Sequence, residues 1–485
     1  MLSATLFVPL AAALALFVLP RTAWRWCAAL ASGATLILAV AAAVRGSAEE
    51  RASWIPSLGA NYHLAADGLS HALVLLTAAL TLLAIVYSWN QEKGAREFFA
   101  LFLLMETGLI GVFFAADLLL FYVFWEVALV PMYFIIGAFG HEKRREAALK
   151  FFLYTRVGSL ALLLSILALY ISTQPHTFDL PAILAARPYA GHGTAPALVL
   201  LGFLVGFGVK LPIFPLHSWL PDAHTEAPTV GSVLLAGVLL KMGGYGLLRI
   251  ALPAVPGAFA DWSAPLAALA VFSAFYGAAV AMAQTDLKRM IAYSSVNHMG
   301  YVLLGVACAA AAGVTAADRA TAATGAGLQL IAHGVVTGAL FFLIGMLADR
   351  AGTREIAKLS GTWATLPIYG SLLGFMLFAS LGMPGLAHFA AEVQIVLGAL
   401  AAYPWAAAGM LAGVLLTTAM FLWTMQRVLF GKPREDLQPL TARERFIALT
   451  LAVLVLALGV WPQPINSMIE GALRAGALSS LAGSP

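Results

Sequence analysis

Five residues of this chain combine reactive chemistry with an apolar setting. Glu126 lies in Phe121-Tyr122-Val123-Phe124-Trp125-Glu126-Val127-Ala128-Leu129-Val130-Pro131, with apolar residues on both sides. Lys210 directly precedes a proline pair in Lys210-Leu211-Pro212-Ile213-Phe214-Pro215-Leu216-His217. Lys241 sits in Leu239-Leu240-Lys241-Met242-Gly243-Gly244, where the glycine pair is expected to free carbonyls that solvate the ammonium and admit water; His333 lies in Gln329-Leu330-Ile331-Ala332-His333-Gly334, and Glu392 follows Gly382-Met383-Pro384-Gly385. An Arg, Lys or Asp in hydrocarbon costs about 2.5–3.5 kcal/mol each on insertion scales, so four such groups would cost on the order of 10 kcal/mol. That rivals the net stability of a whole domain. A chain keeps such groups where partners or water offset the cost, usually along an ion path.

The types suit proton transfer. A lysine in hydrocarbon loses proton affinity and becomes a workable carrier, and a nearby carboxylate raises that affinity again. Histidine titrates near neutrality. Each residue also has a plainer reading: Glu126 as a hydrogen-bonded interhelical carboxylate, Lys210 as a side chain snorkelling to an interface, His333 as a packed and satisfied imidazole, and Glu392 as a hydrogen bond to unwound backbone. His298 in Ser294-Ser295-Val296-Asn297-His298 shares the ambiguity of His333, and His217 and His388, each just past a proline break, are weaker candidates of the same kind.

The elements that must position these groups are membrane helices. The chain has 485 residues, 61% of them hydrophobic and 10% charged, with a mean hydropathy of +0.90, whereas soluble domains carry roughly 25% charged residues. Continuous apolar runs of spanning length, rather than alternating ones, select an all-α polytopic protein over a β-barrel. Hydropathy gives about fourteen spans: 2–19, 24–44, 69–89, 97–115, 117–138, 147–172, 197–219, 228–250, 264–284, 288–312, 324–348, 366–402, 405–428 and 444–462. The seventh and twelfth are interrupted by Pro212/Pro215 and by Gly382-Met383-Pro384-Gly385. Two interrupted spans five apart point to inverted five-helix repeats with an ion site at mid-membrane. The expected organisation is 1–96 for helices one to three, 97–253 and 254–430 for the two repeats, and 431–485 for a loop and a last helix.

An outside N-terminus places 18 of the 27 Lys and Arg in cytoplasmic loops, which favours both termini outside. The first apolar run has no basic region before it and reads as a retained helix rather than a signal peptide. The runs His141-Glu142-Lys143-Arg144-Arg145-Glu146 and Lys432-Pro433-Arg434-Glu435-Asp436 read as solvated loops. Cationic loops on a membrane protein meet lipid headgroups, so the basic pI gives no case for nucleic acid. Two isolated cysteines make neither a disulfide framework nor an iron–sulfur ligand set, no His/Cys/Asp cluster has metal-ligand spacing, and no Gly-rich loop suggests a nucleotide site. Whatever redox chemistry the protein serves, it does not host it.

At these same residues the sequence resembles the antiporter-like membrane subunits of respiratory NADH:quinone oxidoreductase (complex I). Phe124-Trp125-Glu126 with Pro131-Met132-Tyr133-Phe134 looks like the family's fifth-span signature. Lys210-Leu211-Pro212, continuing through Pro215-Leu216-His217-Ser218-Trp219-Leu220-Pro221-Asp222-Ala223-His224 to Ala227-Pro228, resembles its most specific stretch, and Asp286-Leu287-Lys288-Arg289-Met290-Ile291-Ala292-Tyr293-Ser294-Ser295 its ninth-to-tenth connection. The resemblance implies fourteen helices, inverted five-helix repeats, no redox cofactor in this chain, and a charged axis along the membrane plane. It assigns Glu126 and Lys210 as a regulating pair, Lys241 and His333 as a central relay, and Glu392 as the terminal group. Glutamate at 392 resembles the M-type subunits, counterparts of mitochondrial chain 4, since L and N types and multisubunit sodium/proton antiporters usually have lysine there. The M pattern after the break usually runs Thr-x-Asn-Phe, whereas this chain has Leu386-Ala387-His388-Phe389.

The implied partners are L- and N-type membrane subunits in a prokaryotic plasma membrane, with NADH, FMN, iron–sulfur clusters and quinone held by other subunits. Competing readings are a subunit of a sodium/proton antiporter, of a membrane-bound hydrogenase or formate hydrogenlyase arm, or a structural spacer. The last leaves five ionisable residues at membrane depth without a reason.

Overall fold

The structure, a computed structural model, describes residues 1–433 and 437–479. Helical segments fall in all the apolar ranges. Nine helices among the described residues are long and apolar enough to cross a membrane, and Ala442–Val460 with Gln463–Ala475 forms a pair bent by 68° that adds a tenth. Shorter apolar helices are Leu2–Ala15, Thr194–Lys210, Pro367–Ser380 and Ala387–Ala402. Leu287–Ala310 is long enough to cross but carries Ser294, Ser295, Asn297 and His298, all buried inside the bundle.

Local sequence sets the helix ends. Asp67, Asp117 and Asp286 accept from backbone N–H groups in the first turns of Gly68–Tyr87, Leu118–Phe139 and Leu287–Ala310, satisfying donors that have no intrahelical partner. Thr441 and Glu444 form a capping box on Ala442–Val460.

Both expected breaks are present. The seventh range is helical only as far as Lys210; prolines 212 and 215 cannot donate to the ladder, and a short helix, Leu220–Glu226, follows the gap. The Trp219 indole N–H donates to the Val209 carbonyl at 3.0 Å, so a side chain replaces a backbone bond that the break removes. The twelfth range is two helices, Pro367–Ser380 and Ala387–Ala402, joined through Gly382 at φ 81° and Gly385 at φ 85°, left-handed conformations that favour glycine. The last span crosses this break at Gly459, where a Cβ would lie 2.2 Å from the Gly385 carbonyl oxygen. Protein thereby covers backbone that could not face lipid.

Two features lie beyond the hydropathy pattern. A β-hairpin pairs Ala48–Ile55 with Ala60–Ala66, and an amphipathic helix, Gln463–Ala475, buries Ile469 and Leu473. The hairpin gathers one end of the bundle. Glu50 accepts hydrogen bonds from the N-terminal ammonium and Ser3, Asn61 N–H donates to Asp117 at 2.9 Å, and His63 Nδ1 lies 2.5 Å from Asp179. The opposite end is tied by His141 N–H to the Glu226 carbonyl, Leu287 N–H to Arg354, and the Arg350–Glu444 ion pair. The run from His141 to Glu146 is exposed, as expected; of the run 432–436, Arg434, Glu435 and Asp436 lie outside the described residues.

Candidate functional site

Glu126 and Arg156 come from neighbouring helices, Leu118–Phe139 and Arg144–Ile171, and form an ion pair. The expected direct pairing of Glu126 with Lys210 is therefore not the arrangement found. Arg156 offers a planar fork of donors that suits a carboxylate. Lys210 is 1% exposed and has no hydrogen-bond partner among the described residues. Its ammonium lies 5.7 Å from the Trp125 ring and 5.5 Å from the Phe151 ring, distances at which aromatic faces attract a cation. Burial at this depth does not fit a snorkelling lysine. Glu126 stays within Coulomb reach of it, so charge on the Glu126–Arg156 pair acts on Lys210 through space.

Lys241 and His333 meet directly. Lys241 Nζ lies 2.5 Å from His333 Nδ1 and donates to the Ala236 carbonyl at 2.8 Å, and both residues are fully buried. Two nitrogens at that distance need one acceptor, so a neutral imidazole accepting at Nδ1 carries its own proton on Nε2. The helix explains the contact. Two π turns, Leu235–Leu239 and Leu247–Ala251, flank Lys241, and such wide turns loosen the backbone ladder, often at functional sites. The sequence suggested that Gly243-Gly244 would free carbonyls for the ammonium. The carbonyl comes instead from Ala236 in the π turn, and the glycines serve close packing. A Cβ on Gly243 would sit 2.4 Å from the Phe207 carbonyl oxygen and 2.6 Å from Leu211 N, which holds Lys241's helix against the turn that carries Lys210.

Beyond His333 the line continues through imidazoles. The His333 ring centroid is 5.6 Å from that of His298 and 6.0 Å from that of His388, while His298 and His388 stack at 4.4 Å. His298 Nδ1 lies 3.7 Å from Glu392 Oε1. The fold thus brings Lys241, His333, His298, His388 and Glu392 into one buried cluster. Although sequence spacing gives no metal-ligand set, ligand atoms of His298, His388 and Glu392 fall within 4.8 Å of one another. His217 is elsewhere: its ring neighbours are Phe214, Tyr276 and Tyr293.

Four further residues belong to this constellation. Gln329, fully buried one helical turn before His333, comes near Glu392 without a hydrogen bond among the described residues; the i,i+4 spacing puts Gln329 and His333 on one helix face and could have been read from sequence. His224 is fully buried and stacks on Phe341 at 4.5 Å, within Coulomb reach of both Lys241 and Lys288. Lys288, 2% exposed, donates to the Ala227 carbonyl at 2.5 Å. It lines a cavity of about 690 Å³ together with His141, Glu226, Asp286, Asp349 and Arg354. Arg156 is the fourth.

A polytopic helical protein whose broken and π-bulged helices deliver buried lysines, histidines and a glutamate to one interior line is built as an ion-translocating membrane subunit. The model of the NADH:quinone oxidoreductase/Mrp antiporter transmembrane family matches residues 115–419. A Pseudomonas aeruginosa protein named NADH-quinone oxidoreductase subunit M is 42% identical over 450 residues, covering 89% of this chain and 86% of its own. The Escherichia coli protein of that name is 40% identical over 478 residues, covering 93% and 91%. A chain of respiratory complex I from Thermus thermophilus superposes with a TM-score of 0.91 at 33% identity over the full length of both. The chain belongs to this family, on the branch of the M-type subunits.

Proposed function

We propose that the chain is the M-type proton-translocating subunit of a membrane-bound NADH:quinone oxidoreductase, carrying protons along Lys210, Lys241, His333, His298, His388 and Glu392. The single observation that carries this reading is the buried cluster that runs from Lys241 past three neighbouring imidazoles to Glu392 in the bundle interior. Protons load from the cavity lined by Lys288, and His224, within Coulomb reach of both Lys288 and Lys241, links it to the relay. Electron transfer in other subunits perturbs the Glu126–Arg156 pair. Moving that carboxylate away from Lys210 lowers the lysine's proton affinity, because a desolvated ammonium loses its counter-charge. The proton then moves to the Lys241–His333 unit, which holds it between two nitrogens, and on to Glu392. Linkage makes the coupling to neighbouring subunits reciprocal.

In this reading the chain crosses the bacterial inner membrane fourteen times. Residues 97–253 and 254–430 are the inverted repeats, both termini are outside, and L- and N-type subunits flank it in the membrane arm. The hairpin, the N-terminus and the loop around Asp179 sharing one end of the bundle supports that topology. NADH, FMN, iron–sulfur clusters and quinone belong to other subunits. Glutamate at 392 and the M-type relatives weigh against a sodium/proton antiporter or hydrogenase arm. Glu126→Gln and Lys210→Met should each cut proton pumping at least about tenfold in vesicles carrying the purified complex; normal pumping with full assembly would refute the role of either residue.

A further inference from the structure

We infer that His298, His388 and Glu392 form a binding site for a divalent transition-metal ion of the zinc class, set across the outlet of the buried relay. The ligands come from two helices. Leu287–Ala310 supplies His298, and Ala387–Ala402 supplies His388 and Glu392, one turn apart on one face. Two imidazoles and a carboxylate with a fourth position left open are the donor set of open tetrahedral zinc sites. Imidazole-rich sets select zinc, copper or nickel over magnesium or calcium, which require mostly oxygen ligands.

The geometry is close to what a metal needs. Zinc bonds of 2.0–2.1 Å place tetrahedral ligands about 3.3 Å apart. His298 Nδ1 and Glu392 Oε1 are 3.7 Å apart, and all three donors lie within 4.8 Å of one another. The donors are also available. His298 and His388 are fully buried and Glu392 is 7% exposed. Among the described residues neither His298 Nδ1 nor either ring nitrogen of His388 has a hydrogen-bond partner; the Ser380 backbone comes near His388 without reaching bonding geometry. A buried polar group left unsatisfied costs about 1–3 kcal/mol, and a metal ion would satisfy these nitrogens together. Gly382 backs onto the site: a Cβ there would meet Glu392 Oε2 at 2.5 Å. The carboxylate therefore rests on an unwound segment, which can give way as the ligands close.

A bound cation would occupy the carboxylate and both rings at once. In the proton path proposed above, on which this consequence rests, zinc would plug the outlet and inhibit pumping. Two independent readouts separate the site from that path. Equilibrium dialysis of the whole purified complex against zinc should show one fewer zinc ion in His388→Asn and in Glu392→Gln than in the wild type, or affinity at that site weakened at least about tenfold. Unchanged zinc stoichiometry and affinity in both variants would overturn the proposal. Should a variant fail to assemble, a cryo-electron-microscopy map of the wild-type complex soaked in zinc decides: density between the three side chains supports the site, and its absence refutes it. Zinc bound there without inhibiting pumping leaves the site standing and refutes the proton path through these residues.

Discussion

Replacing Lys241 by arginine keeps the positive charge and takes away the ability to release a proton. Lysine's reference pKa is about 10.4 and arginine's 12.5–13.8, so a carrier at this position becomes harder to deprotonate by about 2–3 units. At 1.36 kcal/mol per unit this adds roughly 3–4 kcal/mol to proton release, or about a 100- to 1000-fold slower step where the barrier follows in full. Lys241→Met is the companion. It loses two charge-assisted hydrogen bonds, to Ala236 O and His333 Nδ1, worth about 1.5–3 kcal/mol each. It recovers about 2.5–3.5 kcal/mol of insertion cost, so stability should change by no more than a few kcal/mol. The assay is NADH-driven acidification of proteoliposomes followed with a pH-sensitive dye, with assembly checked on native gels. Both variants should assemble and fail to pump. Wild-type pumping by Lys241→Arg would refute the claim that this lysine passes protons rather than merely holding charge.

Other predictions follow from specific contacts. Arg156→Gln leaves the Glu126 carboxylate without its ion-pair partner and should slow pumping severalfold, while Glu126→Gln/Arg156→Gln should be no worse than Glu126→Gln alone; multiplied losses in the double variant would show that the two act separately. Gly243→Ala forces a Cβ against the Phe207 and Leu211 backbone, and overpacking of this kind costs about 1–3 kcal/mol. Pumping and thermal stability should both fall, whereas Gly237→Ala, whose one close clash is with the flexible Leu80 side chain at 2.5 Å and whose backbone contact, Gly334 O, lies at 3.4 Å, should be milder in a thermal-shift and pumping comparison. At the hairpin, burial alone would raise the Glu50 carboxyl, but hydrogen bonds from the N-terminal ammonium and Ser3 outweigh it and hold the group down at about 2. Asp179 is likewise held low: burial opposes it, but His63 and Arg51 prevail. A depressed carboxylate stabilises the fold above its unfolded pKa and stops doing so as pH falls through the folded one. Hydrogen exchange in residues 48–66 should therefore rise as pH drops from about 4.5 toward 2, after correction for intrinsic rates; flat protection across that window would exclude the linkage.

Much of this architecture could be read from residue order. Lipid demands internally bonded backbone, so uninterrupted apolar runs announce helices, and Pro212, Pro215 and Gly382-Met383-Pro384-Gly385 mark where two of them break. Glu392, His333 and Lys241 were conspicuous because charge is costly at their depth. Four things were hidden. The π turns beside Lys241 have no composition signal, so the Ala236 carbonyl that accepts from its ammonium is invisible in the residue order. The Glu126 partner depended on helix rotation: Arg156 lies one helix away and Lys210 two, and hydropathy does not say which face each turns inward. The β-hairpin reads as a polar connection between spans, because Glu49, Glu50 and Arg51 dominate its first strand. The His298–His388–Glu392 cluster joins residues nearly a hundred positions apart, which no local spacing could reveal.

If protons travel through this chain's interior, Glu392→Gln must change the number of protons moved per electron, measured in tightly sealed proteoliposomes while NADH oxidation is recorded in parallel. The ratio should fall, either by this subunit's share or to nothing if all the pumping units work in concert. An unchanged ratio in a fully assembled variant would mean that the protons take another route.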